Sequence, residues 1–202
     1  MNENQEEHLK HKMTVTAACR FNASKRLQGR DRRMQLIIAL ASAFVIALTV
    51  MPYLYHLSAL VVSDLSVITL IMSILILTIS LIQYSNNDAV NAEQHHRSGL
   101  EINELKNELY AKSGNVTPHD LEEFGQKYGH ILQKYSINHE DVDWYKFQLE
   151  NPSIYPLGPI RRAMIYVRVL AAAYWMQALT WLLILSFAFV IIWHILPARF
   201  SS

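Results

Sequence analysis

Nine histidines and seventeen carboxylates are the residues with the most chemistry to offer. Two groups have metal-like spacing: Glu93 with His95, His96 and His119, and His139 with Asp143 one helical turn later. A His–Asp pair at that spacing is common on any helix, and no Cys-x-x-Cys or His-Glu-x-x-His pattern supports ligation. No metal or cofactor is therefore expected. Gly-rich phosphate loops, a nucleophile elbow and Ser-x-x-Lys are all missing from the sequence, and Cys19 has Arg20 beside it but no obvious base. Catalysis is not expected, and the chain is read as a non-enzyme. His139 and Asp143 are retained as candidates for contact with a partner or for signal sensing. Between Asp88 and Glu150 twelve acidic residues face six basic ones, which argues against direct nucleic-acid binding there.

The second chemical pattern lies in apolar sequence. Ser66, Ser73, Ser80 and Asn87 recur every seven residues, with Thr69 and Gln83 on an adjoining strip, and Gln35, Ser42, Thr49 and His56 recur every seven as well. A strict seven-residue repeat keeps one helix face toward a partner, and hydroxyl or amide groups gain more there than against lipid. Two readings follow: a packing seam within a hairpin, or the lining of a wet path among several copies. Ser and Thr also bond back to their own helix, so spacing alone favours packing. Were a pore to form, Asp64, with His56 nearby, would mark its outer mouth as an acidic ring favouring cations.

These residues need elements to hold them. No charge occurs in residues 34–55, 65–87 or 169–198, and about 20 apolar helical residues cross a bilayer core. The fold class expected is an all-α integral membrane protein. It has a polar, basic N-terminal helix over 1–33, a transmembrane hairpin over 34–84, a cytoplasmic helical domain over 85–168, and a third C-terminal transmembrane helix with a short tail over 169–202. Lys10, Lys12, Arg20, Lys25, Arg26, Arg30, Arg32 and Arg33 precede the first span, whereas residues 56–64 hold no Lys or Arg. The N-terminus is thereby expected in the cytoplasm of a multi-pass protein. The charged lead before Met34 is too long for a signal peptide.

Locally, the first dozen residues are expected to be mobile and helix to begin near Thr14. Pro52 should kink or end span one, Asp64 should cap span two, and span two should continue unbroken beyond Tyr84. Ser113-Gly114-Asn115 reads as a turn, and Thr117-Pro118 as a helix start. Leu121, Phe124, Tyr128, Ile131, Leu132 and Tyr135 make an amphipathic helix. Asn138 should cap the next helix, and Pro152, Pro156, Gly158 and Pro159 should stop it.

Ala-Cys-Arg-Phe-Asn-Ala-Ser-Lys-Arg-Leu (Ala18–Leu27) before a tight two-span hairpin, followed by Tyr-Gly-His-Ile-Leu-Gln-Lys-Tyr-Ser-Ile-Asn-His-Glu-Asp-Val-Asp (Tyr128–Asp143), resembles the SLATT family, the SMODS and SLOG-associating two-transmembrane effectors, here with an additional C-terminal span. The resemblance implies a bacterial antiviral conflict system acting by abortive infection. In such systems the effector is a homo-oligomer that forms a pore or ion channel in the inner membrane once a sensor detects infection. Partners implied are the lipid bilayer and a sensor such as a cyclic-oligonucleotide synthase, a SLOG protein or a reverse transcriptase. The family's marked positions carry over as Arg20, Leu27, Tyr135, Asn138, His139 and Asp143. The alternative is a membrane-tethered sensor or scaffold whose cytoplasmic helices bind a partner. A transporter would need a substrate site at membrane depth, and spans without internal charge offer little for one.

Overall fold

The computed structural model describes residues 2–55 and 57–200, with side chains described except for residues 2, 3, 183, 187, 188 and 190–200. His56 lies outside the described residues. Six helices follow in order: α1 (Asn2–Leu54), α2 (Ala59–Asn86), α3 (Asp88–Ala111), α4 (Pro118–Tyr135), α5 (Asp141–Glu150) and α6 (Pro159–Phe200). Among the described residues there is no strand, and three helical stretches are long and apolar enough to cross a membrane: Asn4–Leu54, Ala59–Ala111 and Pro159–Ser186. The protein is an all-α membrane protein.

The chain divides into two compact units, one of the residues up to Gly29 with Asp88–Ala173, the other of Arg30–Asn87 with the chain from Tyr174 onward. In the first, the polar unit, Met13 and Ala17 of α1 are buried with Ile102, Leu105 and Leu109 of α3 and Phe124 and Tyr128 of α4, with Leu9 and Phe21 packed against them. Leu9, Met13, Ala17 and Phe21 recur every fourth residue and so share one face of α1. That face corrects the expectation of a mobile leader: α1 is helical from Asn2. Lys10 adds an ion pair to Glu6 and a hydrogen bond to the Ser113 hydroxyl at 2.9 Å. α1 and α3 approach closely at Gly99, where a Cβ would lie 2.9 Å from Phe21 Cε1.

The start of α4 is as the sequence suggests: Thr117 Oγ1 accepts from the Asp120 amide at 3.1 Å, and Asp120 Oδ2 accepts from the Thr117 amide at 2.9 Å, a reciprocal cap. The cap of α5, however, is Glu140 rather than Asn138. Asp143 Oδ2 accepts the Glu140 amide at 3.1 Å, and this fixes the start two residues later than expected.

In the second unit, the hairpin unit, the buried apolar positions are Met34, Ile37, Ala41, Val45 and Leu48 on α1 and Val61, Leu65 and Met72 on α2; the α1 set, and the α2 set once buried Thr69 is included, fall at three- or four-residue spacing along one helix face. Leu36, Ile46, Leu70, Leu77 and Leu81 are each more than half exposed. So much outward apolar surface suits lipid and not water. Pro52 sits in the final turn of α1, which stops at Leu54. Ser58, not Asp64, caps α2, its Oγ accepting the Val61 amide at 3.4 Å; Asp64 is exposed, beyond the first turn. The continuous helix expected beyond Tyr84 is broken at one residue. Asn87 takes a left-handed conformation (φ 51°) between α2 and α3, which asparagine tolerates better than most residues because its side chain bonds locally; here its Nδ2 donates to the Ser85 carbonyl at 3.3 Å.

Candidate functional site

Two arrangements hold the residues singled out above. In the polar unit, Cys19, Asn22 and Arg26 fall three and four apart along α1 and so share one face. Arg26 grips Asp143 through two parallel bonds, Nε to Oδ1 and Nη2 to Oδ2, both 2.9 Å. Its Nη2 also lies 3.0 Å from Glu140 Oε1, and Asn22 Nδ2 donates to the Asp143 carbonyl at 3.3 Å. Asp143 is 1% exposed. This fork-to-fork geometry is the strongest form of a carboxylate pair. Burial acts to lower the Arg26 pKa, but the bonds and charges of Asp143 and Glu140 prevail and raise it.

Other polar groups of the same unit are buried as well. Arg20 is 2% exposed, His95 4%, Ser98 0% and Cys19 0%. Burial, reinforced by the Arg20 charge, pushes His95 down to about 4, against the opposing pull of Asp143. His139 is lowered by burial and then by Arg20. Burial, with the Asp143 carboxylate behind it, pushes the Cys19 thiol up to about 12, so the thiolate needed for nucleophilic chemistry is scarce at neutral pH.

Of the sequence candidates, His139 and Asp143 do enter one cluster, but Asp143 faces Arg26 and serves the fold. Glu93, His95, His96 and His119 do not converge. Glu93 pairs with Arg97 at 2.6 Å, His95 is buried, and His96 lies edge-on to Phe21 at 5.7 Å. Among the described residues no three His, Cys, Asp or Glu side chains group as metal ligands. Of the remaining marked positions, Leu27 is buried, Tyr135 donates to Glu101 Oε1 at 2.7 Å, and Asn138 is exposed. Arg26 and Asn22 were missed because their partner lies in a different helix far along the chain.

The hairpin stripes are placed residue by residue. Ser66, Ser73, Gln35 and Thr49 are exposed, Ser42 and Ser80 half-buried, Asn87 exposed at the helix break, and only Thr69 and Gln83 buried. The hydroxyls donate to carbonyls of their own helix: Ser42 to Ile38, Ser66 to Val62, Ser73 to Thr69 (each 2.8 Å), Ser80 to Ile76 and Thr49 to Ile46 (each 2.7 Å), and Thr69 to Ser66 (3.0 Å). Asp31, which sequence reasoning passed over, joins the two spans. Its carboxylate accepts from Gln35 Nε2 at 2.8 Å and from Gln83 Nε2 at 2.9 Å.

The sequence model of one family, described as SMODS and SLOG-associating 2TM effector domain family 5, matches residues 2–201. The chain belongs to that family. The match runs through α6, so this SLATT protein carries its third apolar helix within the family region and not as an appendage. No curated protein and no solved structure matches the chain. Family membership together with the three apolar helices makes it a membrane effector of conflict systems.

Proposed function

We propose that this SLATT protein works without catalysing a reaction, as an oligomeric effector that opens a pore in the bacterial inner membrane when a sensor partner signals infection. Its N-terminus and polar unit lie in the cytoplasm. The observation that carries the reading is the position of the polar stripes. Ser66, Ser73 and Thr49 stand outside the buried seam of their own hairpin, so packing between the two spans does not account for them. A polar face left over after a hairpin has packed suits contact with another copy or with water better than with lipid. Asp64 and His56, near the turn between spans, would then ring one mouth.

A second reading, a membrane-tethered sensor or scaffold, is favoured by the self-bonded hydroxyls, since a serine bonded to its own helix is tolerated against lipid. The deciding experiment is dye and ion leakage from liposomes carrying wild type or Ser73→Trp at equal insertion. Leakage that the tryptophan abolishes supports a pore with α2 facing its path. Leakage unchanged by Ser73→Trp removes α2 from the path, and no leakage from wild type at any protein density overturns the pore in favour of the tether.

A further inference from the structure

The most exposed apolar side chain described in the polar unit is Ile160, in the first turn of α6, at 78%. Met164 and Val167 follow at 55% and 63%, whereas Ile165 between them is 4% exposed. Ile160, Met164, Val167 and the exposed Ala171 fall four, three and four residues apart, so they make one face of the helix. Arg161 and Arg168, seven residues apart, run along one border of that face. No Asp or Glu follows Glu150 in the sequence, and among the described residues neither arginine forms an ion pair. Arg168 Cζ lies 6.0 Å over the Tyr145 ring, at the outer limit of a cation–π contact.

Packing holds this face in place. Ile165, on another side of the helix, is buried. In the connector before α6 the Tyr155 ring stands edge-on to Trp144 and Phe147, with centroids 5.1 and 5.9 Å apart, and its hydroxyl lies 3.2 Å from His11 Nε2. The uncharged run 169–198 of α6 measures about 45 Å as helix, more than the roughly 30 Å of a hydrocarbon core. It can cross without the turns that precede it, and arginine is costly inside the core. A run longer than the core tilts, which lowers the turns before it toward the headgroups.

We infer that residues 159–168 form a docking surface for anionic phospholipid. Ile160, Met164 and Val167 enter the boundary between headgroups and acyl chains, and Arg161 and Arg168 bind phosphates through their planar forks. A helix with an apolar face bordered by basic side chains is what an anionic interface retains. Water does not suit so contiguous an exposed apolar face. A second copy of the same face would set arginines against arginines, with no carboxylate in the segment to answer them. The inference holds whether the spans form a pore or a tether.

The test places single copies of the full chain in nanodiscs, with an environment-sensitive fluorophore on Met164→Cys and, as a reference, on Asn107→Cys, exposed on α3. Cys19 is fully buried, so the label goes to the introduced thiol. Discs of phosphatidylcholine with rising phosphatidylglycerol are compared, and uncharged acrylamide serves as the aqueous quencher. Phosphatidylglycerol is expected to shift the emission at position 164 to the blue and to shield it severalfold from acrylamide, leaving position 107 unchanged. Arg161→Gln with Arg168→Gln should raise the phosphatidylglycerol fraction needed for half-maximal shielding, by up to about fivefold per arginine. Cys19 staying closed to thiol reagents in that double variant separates loss of lipid recognition from loss of folding. Quenching at 164 equal to that at 107 in phosphatidylglycerol discs overturns the surface. Shielding that is the same in both lipids, or unchanged by the double substitution, overturns anionic lipid as the partner, and shielding seen only in discs holding two copies assigns the face to a second chain instead.

Discussion

Replacing Asp143 with asparagine removes the buried negative charge facing Arg26 while keeping the side chain's size and one acceptor oxygen. The pair is enclosed, with side chains 8% and 2% exposed, and breaking such a pair by losing one partner costs about 3–5 kcal/mol because the other charge is stranded. Glu140, at 3.0 Å from Arg26 but 62% exposed, still neutralises part of that charge, so the lower end applies, about 3 kcal/mol. For a unit of about a hundred residues this lowers Tm by on the order of 10–15 °C. The sole cysteine supplies a second readout. Cys19 is fully buried in the same unit, so a thiol reagent labels it only when the unit opens, and about 3 kcal/mol raises the open population roughly 150-fold. Replacing both partners, Arg26→Met with Asp143→Leu, should recover much of the loss, since an apolar pair of similar volume leaves no charge behind. A loss below about 1 kcal/mol in Asp143→Asn, or a double variant no better than the single one, would refute the view that this pair is a buried, mutually neutralising clamp.

Acid should weaken the polar unit through His95. The folded form holds it neutral down to about pH 4 against an ordinary value of 6.5, so between those values the unfolded chain takes a proton that the folded one refuses. Stability is therefore retained above 6.5 and falls as pH drops toward 4, by on the order of 3 kcal/mol; His95→Gln should flatten that dependence in urea titrations. Gly99→Ala places a methyl 2.9 Å from Phe21 Cε1 and should cost about 1–3 kcal/mol, with Phe21→Leu in the same chain returning most of it in thermal melts.

Much of this architecture was readable from the chain because it is written in local signals. The spans follow from long uncharged runs, and the start of α4 from Thr117 and Pro118 side by side. Errors arose where a non-local contact decided the outcome. The first dozen residues look like a solvated leader by composition, and only their packing on α3 and α4 reveals Leu9, Met13 and Ala17 as one apolar face. The break at Asn87 is hidden because helix-forming sequence lies on both sides of it. The start of α5 is set by Asp143 and not by the nearest good capping residue. At the candidate site, the spacing of His139 and Asp143 was visible, but the residue that answers Asp143 is Arg26 on α1, too far along the chain for any periodicity to show. The seven-residue stripes were equally visible. Which side of each helix is buried depends on where its neighbours lie, and that needed the fold.

The back-bonded hydroxyls of α1 and α2 bear on how such a protein can wait. A serine whose proton already rests on its own helix demands nothing of its surroundings and offers only lone pairs and a small, smooth profile. Acyl chains, water and the flank of another helix can replace one another against it with no hydrogen bond broken. In the proposed oligomer, the balance between solitary and clustered chains would rest on weak packing forces and on crowding within the plane of the bilayer, as for any association governed by mass action. Were copies to assemble as proposed, copy number per unit area of membrane would act beside the sensor's signal as a control on assembly.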